Sequence, residues 1–175
     1  MLKKIFSTPL TVRSEREIRG TEIEKVGMAV KEKARRVFGG SIAIREVAAG
    51  SSNAEEQELT ALTNAYYDVE RFGVHFVASP RHADMLFVTG PVSRNMADGV
   101  RHSYEAMPTP KWVVAVGDGA IDGGIYRDSY AVYNRVEDLI PVDFKIPGDP
   151  PSPMAVLKAL LEILDQIDSR RTEKS

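Results

Sequence analysis

The chain contains no cysteine among its 175 residues. Disulfide bonds are therefore impossible, and so is any metal site built on thiolate ligands, such as a zinc ribbon or a conventional iron–sulfur centre. The sequence also lacks the run of roughly 18 apolar residues that a membrane-spanning helix needs. Its first residues have neither a long apolar segment nor a small-residue cleavage site, so no secretory signal is predicted and the cytoplasm is the expected compartment.

The chain has no strong overall charge, because its formal net charge is −2. This value gives no reason to expect nucleic acid as a partner. The charge is unevenly distributed, however, since residues 1–45 carry eleven Lys and Arg against five Glu. A basic arm on an acidic body predicts docking to phospholipid headgroups or to an acidic neighbouring subunit. A solvated, partly disordered tail is the alternative.

The order of apolar segments predicts an α/β protein. Residues 1–38 read as a basic, partly helical arm, residues 39–168 as an α/β domain and residues 169–175 as a frayed tail. Predicted strands cover residues 41–47, 72–77, 85–89, 112–116 and 139–142, and predicted helices cover 51–65, 93–107 and 154–167. Strands that alternate with helices at this spacing indicate an open, mostly parallel, flavodoxin-like sheet with helices on both faces.

Three loops follow predicted strands, at residues 48–55, 117–124 and 147–151. The carboxyl ends of parallel strands lie at one edge of a sheet, so we expect these loops to meet there. In the first loop, polar residues precede Glu55 and Glu56, which predicts a helix start capped by side-chain oxygens. Asp118 and Asp122 lie between glycines in the second loop and are expected to form turns.

The same loops resemble those of the small, cluster-carrying subunit of complex I and of membrane-bound NiFe hydrogenases. Residues 50–56 resemble the family sequence Gly-Ser-Cys-Asn-Gly-Cys-Glu, residues 117–120 resemble Gly-Asp-Cys-Ala, and residues 147–151 resemble Pro-Gly-Cys-Pro-Pro. Further similar stretches are residues 67–73, 79–84, 88–92 and 107–113. The likeness spans about residues 39–165 and is closest to subunits of formate-hydrogenlyase-type and energy-converting hydrogenases.

The resemblance implies a 4Fe–4S cluster held by four cysteines, but those positions hold Ser52, Glu55, Gly119 and Asp149. Thiolates stabilise such clusters, whereas carboxylates suit hard cations. No cofactor is therefore predicted. Ser52, Glu55 and Asp149 could supply oxygen ligands to Mg²⁺ or Ca²⁺, but the preferred interpretation is that polar groups and water fill the vacated pocket.

Arg71 and Arg81 lie in family-like motifs. For the complex I branch, the resemblance implies a quinone pocket shared with the large subunit, which makes these arginines interface or quinone-pocket candidates. Pairing with Glu70 or Asp84 is the alternative role.

The resulting functional prediction is a cluster-free small subunit of a complex I-like or energy-converting-hydrogenase-related assembly. It would have a structural or coupling role against the large subunit, and the chain alone is not expected to be catalytic. The predicted location is peripheral, on the cytoplasmic side of the inner (plasma) membrane, with the arm touching the lipid surface or the membrane arm. The alternatives are a redox subunit of an NADH:quinone oxidoreductase or hydrogenase complex, and a hard-metal-binding protein.

Overall fold

The structure is a computed structural model that describes the backbone of residues 15–172 and the side-chain surroundings of residues 22–172. The α-helices are α1 (Glu15–Phe38), α2 (Ala54–Ala61), α3 (Ala97–Ala106), α4 (Asp118–Asp122) and α5 (Pro153–Thr172). The strands are β1 (Ile42–Ala48), β2 (Val74–Phe76), β3 (Met85–Thr89), β4 (Val92–Ser93), β5 (Trp112–Val116), β6 (Val132–Tyr133) and β7 (Phe144–Ile146).

Five of the strands form one parallel sheet in the order β2-β1-β3-β5-β7. Strands β4 and β6 form a separate two-stranded antiparallel ribbon. Strand β1 lies between β2 and β3, so the order in which the chain adds strands to the sheet reverses there. In this fold a site is expected in the crevice outside the carboxyl ends of the strands at that point. The predicted flavodoxin-like architecture is confirmed.

Each face of the sheet is covered by its own core. Ile42 and Ile44 of β1 pack on one face with α1, α2 and α5, whereas Val47 and Ala49 pack on the other face with α3 and α4. Every residue of β3 is buried, because both of its faces are covered. This explains the continuous apolar run that the sequence shows there.

Helix α1 packs on the domain as part of its core. Its residues Ile23, Val30, Ala34 and Val37 are buried. Lys33 and Arg36 form ion pairs with Asp165 and Asp168 of α5. Two of the five basic residues at 22–38 are thus ion-paired within the chain, and the alternative of a solvated tail is wrong for this packed segment. Residues 1–14 of the predicted arm lie outside the described residues.

Some predicted boundaries are wrong. Residues 139–142 form no strand, because a 3-10 turn at Val136–Asp138 precedes them and the last sheet strand is Phe144–Ile146. Residues 69–72 form another 3-10 turn, which shortens the predicted strand at 72–77 to Val74–Phe76. Within the described part of the chain, none of the helices combines the length and the apolar character needed to cross a bilayer.

The candidate functional site at the carboxyl edge of the sheet

The three predicted loops meet at one edge of the sheet. The backbone N–H of Ala49 donates to Thr89 O at 3.1 Å, which joins the end of β1 to the end of β3. The N–H of Gly117 donates to Ile146 O at 2.9 Å, which joins the ends of β5 and β7. The loop after β3, at residues 90–91, lies between them. A Cβ at Gly90 would lie 2.3 Å from Ser51 Cα.

Asp118 fastens the second loop to the third. Its backbone N–H donates to Gly148 O at 2.9 Å, and its Oδ1 accepts a hydrogen bond from Gly148 N at 2.8 Å. Asp122 Oδ1 accepts from Gly124 N at 2.9 Å, and its carboxylate pairs with Arg127. Asp122 stabilises its own turn, as predicted, whereas Asp118 joins two loops that lie 30 positions apart in the chain.

The four positions predicted to match the family's cysteines differ in their surroundings. Ser52 and Asp149 are exposed, whereas Glu55 and Gly119 are buried. Glu55 is only 4% exposed, and its carboxylate lies against Gly117, where an added Cβ would be 2.8 Å from Oε1. The four positions therefore do not present a common set of inward-facing ligands.

Gly119 has no space for a side chain. An ideal Cβ there would lie 2.8 Å from Pro91 Cδ and 3.2 Å from Gly90 Cα. Real Cβ atoms do not approach that closely, and the neighbours are a proline ring and backbone, which cannot rotate away. The second loop thus packs directly on the loop after β3 at a position predicted to match a family cysteine.

Glu56 is held by two hydroxyl groups. The Ser51 and Thr89 hydroxyls both donate to its Oε1. Thr89 is fully buried at the end of β3, so this carboxylate connects the start of α2 with the sheet. Oε2 of Glu56 and Oε2 of Glu55 are buried without a hydrogen-bond partner.

Burial raises the pKa values of carboxyl groups at this edge. Burial raises the pKa of Glu55, and a hydrogen bond from the backbone amide of Glu55 acts in the opposite direction. The charges of Glu56, Asp149 and Asp118 raise the pKa further. For Glu46, burial and the nearby Glu56 raise the pKa to about 7, and Arg45 acts against them. Charged carboxylates are costly in such surroundings, so protonation is favoured.

Sequence reasoning did not identify Glu46 or Thr89 as residues of this site. Two signals could have found them. Glu46 continues the inward alternation of Ile42 and Ile44, and Thr89 is the one polar residue of an otherwise apolar strand. A polar residue in a register that points into the core requires a polar neighbour.

The predicted side-chain cap of α2 is wrong. Asn53 occupies the capping position with φ 72°, in the left-handed region, and its side chain makes no capping hydrogen bond. The helix also ends at Ala61 rather than near residue 65. The Ser51 hydroxyl, which could have capped the helix, donates to Glu56 instead.

The two arginine candidates lie away from these loops in the chain, because Arg71 precedes β2 and Arg81 precedes β3. The Arg71 guanidinium lies 4.5 Å from the centre of the Phe72 ring and 3.8 Å from an Asp68 carboxylate oxygen. Arg81 is exposed and forms no ion pair within residues 22–172, and Asp84 accepts from Ala43 N instead. The alternative of pairing with Glu70 or Asp84 is therefore wrong, and the quinone-pocket role stays a prediction.

The residues at this edge do not fit a 4Fe–4S cluster, since they offer an exposed hydroxyl, one buried and one exposed carboxylate, and a glycine with no space beside it. Among the described residues, no group of three or more His, Asp or Glu has an arrangement that could hold a metal ion. The chemistry available here is hydrogen bonding and proton binding by carboxyl groups.

An apolar patch adjoins the site. It consists of Met96, Ile125, Tyr126 and Tyr130, which are four of the six large hydrophobic residues exposed among the described side chains. Ile125 is 82% and Tyr130 91% exposed. The β4–β6 ribbon joins the two segments of this patch, and Gly124 packs against Gly119. Exposed apolar groups of this size are typical of protein interfaces.

Comparisons with known proteins identify the family. A family model described as NADH ubiquinone oxidoreductase, 20 kDa subunit, matches residues 53–163. A chain in the structure of the membrane-bound sulfane sulfur reductase, an archaeal respiratory membrane complex, is 33% identical with a TM-score of 0.67, over 81% of this chain and 76% of that one. A chain of an NAD⁺-reducing NiFe hydrogenase in the H₂-reduced state is 17% identical with a TM-score of 0.56, over 72% and 92%, and shares the fold. The protein belongs to the family of the 20 kDa subunit of NADH:ubiquinone oxidoreductase.

Proposed function

We propose that this chain is a cluster-free small subunit of a membrane assembly related to complex I and to energy-converting hydrogenases. It packs against a hydrogenase-like large subunit on the cytoplasmic side of the membrane and has a structural or coupling role. The observation that carries this proposal is the contrast between the family match over residues 53–163 and the absence of cysteine, with Ser52, Glu55, Gly119 and Asp149 at the positions expected to hold the cluster ligands. Electrons would have no carrier at this site.

The exposed apolar patch supports a docking role. Ile125 and Tyr126 directly follow Gly124, which packs against Gly119, so a partner that covers these two side chains would lie next to the altered site. Large aromatic and aliphatic side chains contribute strongly to stable interfaces. The partner expected here presents a complementary apolar surface, and it belongs to a respiratory membrane complex like the one that contains the 33% identical chain.

Iron and acid-labile sulfide measurements test the proposal. The protein is purified without oxygen together with its co-purifying partners, and this subunit is then separated and its visible spectrum recorded. A cysteine-bearing member of the family, handled in parallel, is the control for cluster loss during purification. We expect near-zero iron and sulfide in this subunit, and iron in stoichiometric amounts would disprove the proposal and favour the redox-subunit alternative.

A further inference from the structure

The loops of this site are joined by direct contacts between protein atoms. In the family that the chain belongs to, four cysteines would attach the same loops to one inorganic group. In this chain, neighbouring loops contact one another directly, and three of these contacts are described in turn.

The first contact joins the second loop to the loop after β3. Gly119 lies so close to Gly90 and Pro91 that a Cβ would overlap the proline ring. The φ of Gly119 is not in the left-handed region. Lack of space, and not the backbone conformation, therefore excludes a side chain at position 119. Any side chain there would have to push the two loops apart.

The second contact joins the first loop and α2 to the end of β3. Ser51 and Thr89 donate to the same oxygen of Glu56, and we call these three residues the carboxylate–hydroxyl network. Hydrogen bonds to a carboxylate acceptor are stronger than those between two neutral groups. Their partners come from different parts of the chain, so the network acts as a cross-link.

The third contact brings the first loop to the second. The Glu55 carboxylate packs against Gly117, in the same turn that Asp118 fastens to Gly148. Glu55 and Glu56 are adjacent in α2, so one helical turn reaches both the second loop and β3. The path from the first loop to the third is continuous.

We propose that the closed packing at Gly119 replaces the iron–sulfur cluster as a cross-link of these loops, beside the carboxylate–hydroxyl network, which lies in the family-like stretches 50–56 and 88–92, and that the closed packing prevents cluster assembly even when cysteines are restored. This inference rests on the proposed cluster-free function. It adds that the loss of the cluster is compensated structurally and that position 119 is decisive. The loops keep the shape that a partner recognises because protein contacts hold them.

Restoring the ligands tests the closed packing. The full chain carries Ser52→Cys, Glu55→Cys, Gly119→Cys and Asp149→Cys together, and it is incubated with ferrous iron and sulfide without oxygen. We expect a folded protein without the visible absorption of a 4Fe–4S cluster. A folded variant that binds a stoichiometric 4Fe–4S cluster overturns the inference.

A second variant decides the question if the fourfold variant does not fold. Gly119→Ala adds only the methyl group that would meet Pro91, and we expect its melting temperature to fall by at least about 4 °C. Gly40→Ala is the matched control, because nothing lies within 4 Å of a Cβ at Gly40. Equal melting temperatures for these two variants would overturn the inference.

The network has its own test. Thr89→Val removes the hydroxyl but keeps the shape of the buried side chain, and Thr60→Val is the control at an exposed position of α2. We expect the Thr89 variant to melt at least about 4 °C below the control variant. No difference would show that the network is not a cross-link. Iron in the unmodified subunit would contradict the proposed function, whereas an iron-free subunit with unchanged variants would contradict this inference alone.

Discussion

The stability of this protein is expected to depend on the protonation of Glu46. Glu46 lies on the same face of β1 as the buried Ile42 and Ile44, near the charge of Glu56. Its pKa is raised to about 7 from an ordinary value of 4.5, and the charge of Arg45 opposes the rise. Between these values the folded protein binds a proton that the unfolded chain releases, so the free energy of unfolding falls as the pH rises through this window.

The magnitude follows from the shift. One pKa unit corresponds to 1.36 kcal/mol, which sets an upper limit of about 3 kcal/mol. Glu46 is partly exposed, and solvent screening reduces the expected value to about 1–2 kcal/mol. Glu46→Gln stays neutral at every pH, so it should be more stable than the unmodified protein by this amount at about pH 8 and nearly equal to it at about pH 4, below the ordinary carboxyl pKa of 4.5.

Urea unfolding monitored by circular dichroism at these two pH values measures the effect. Glu58→Gln, which removes a carboxyl group from α2 outside the network, is the control and should keep the pH dependence of the unmodified protein. The stability of the Glu46→Gln variant should still depend on pH, but less strongly, because the pKa of Glu55 is also raised. Parallel pH profiles for the unmodified protein and Glu46→Gln would refute the reasoning.

Two further predictions concern packing and docking. Gly27→Ala should destabilise the fold by about 1–3 kcal/mol, although Ala normally favours a helix, because the Cβ would lie 2.3 Å from the buried Phe72 ring. Chemical denaturation measures this, and Gly99→Ala in α3, where the nearest contact is an ordinary 3.7 Å, should show no loss. Tyr130→Ser should reduce partner recovery in affinity purification at least about tenfold, a hot-spot effect, whereas exposed Met28→Ser, away from the patch, should not. Equal recovery of the partner with both variants would contradict the assignment of the patch as an interface.

Local patterns in the sequence predicted most of the sheet. The apolar runs at Met85–Thr89 and Trp112–Val116 are strands because a covered parallel sheet buries both of their faces. The strand predicted at residues 139–142 is wrong. Ile140 is buried in the core, but it lies in a loop and not in a strand. An apolar residue signals burial, but burial alone does not specify the backbone conformation.

The sequence by itself determined that no thiolate could hold a metal, that the chain resembles a cluster-carrying family, and that the four ligand positions hold other residues. It also determined the order of the loops. Only the tertiary structure decided that Gly119 packs on Pro91, that Thr89 reaches Glu56, and that partial burial beside Glu56 raises the pKa of Glu46. The first two contacts join residues about 30 positions apart, and this depends on the strand order and register of the whole sheet rather than on any local pattern.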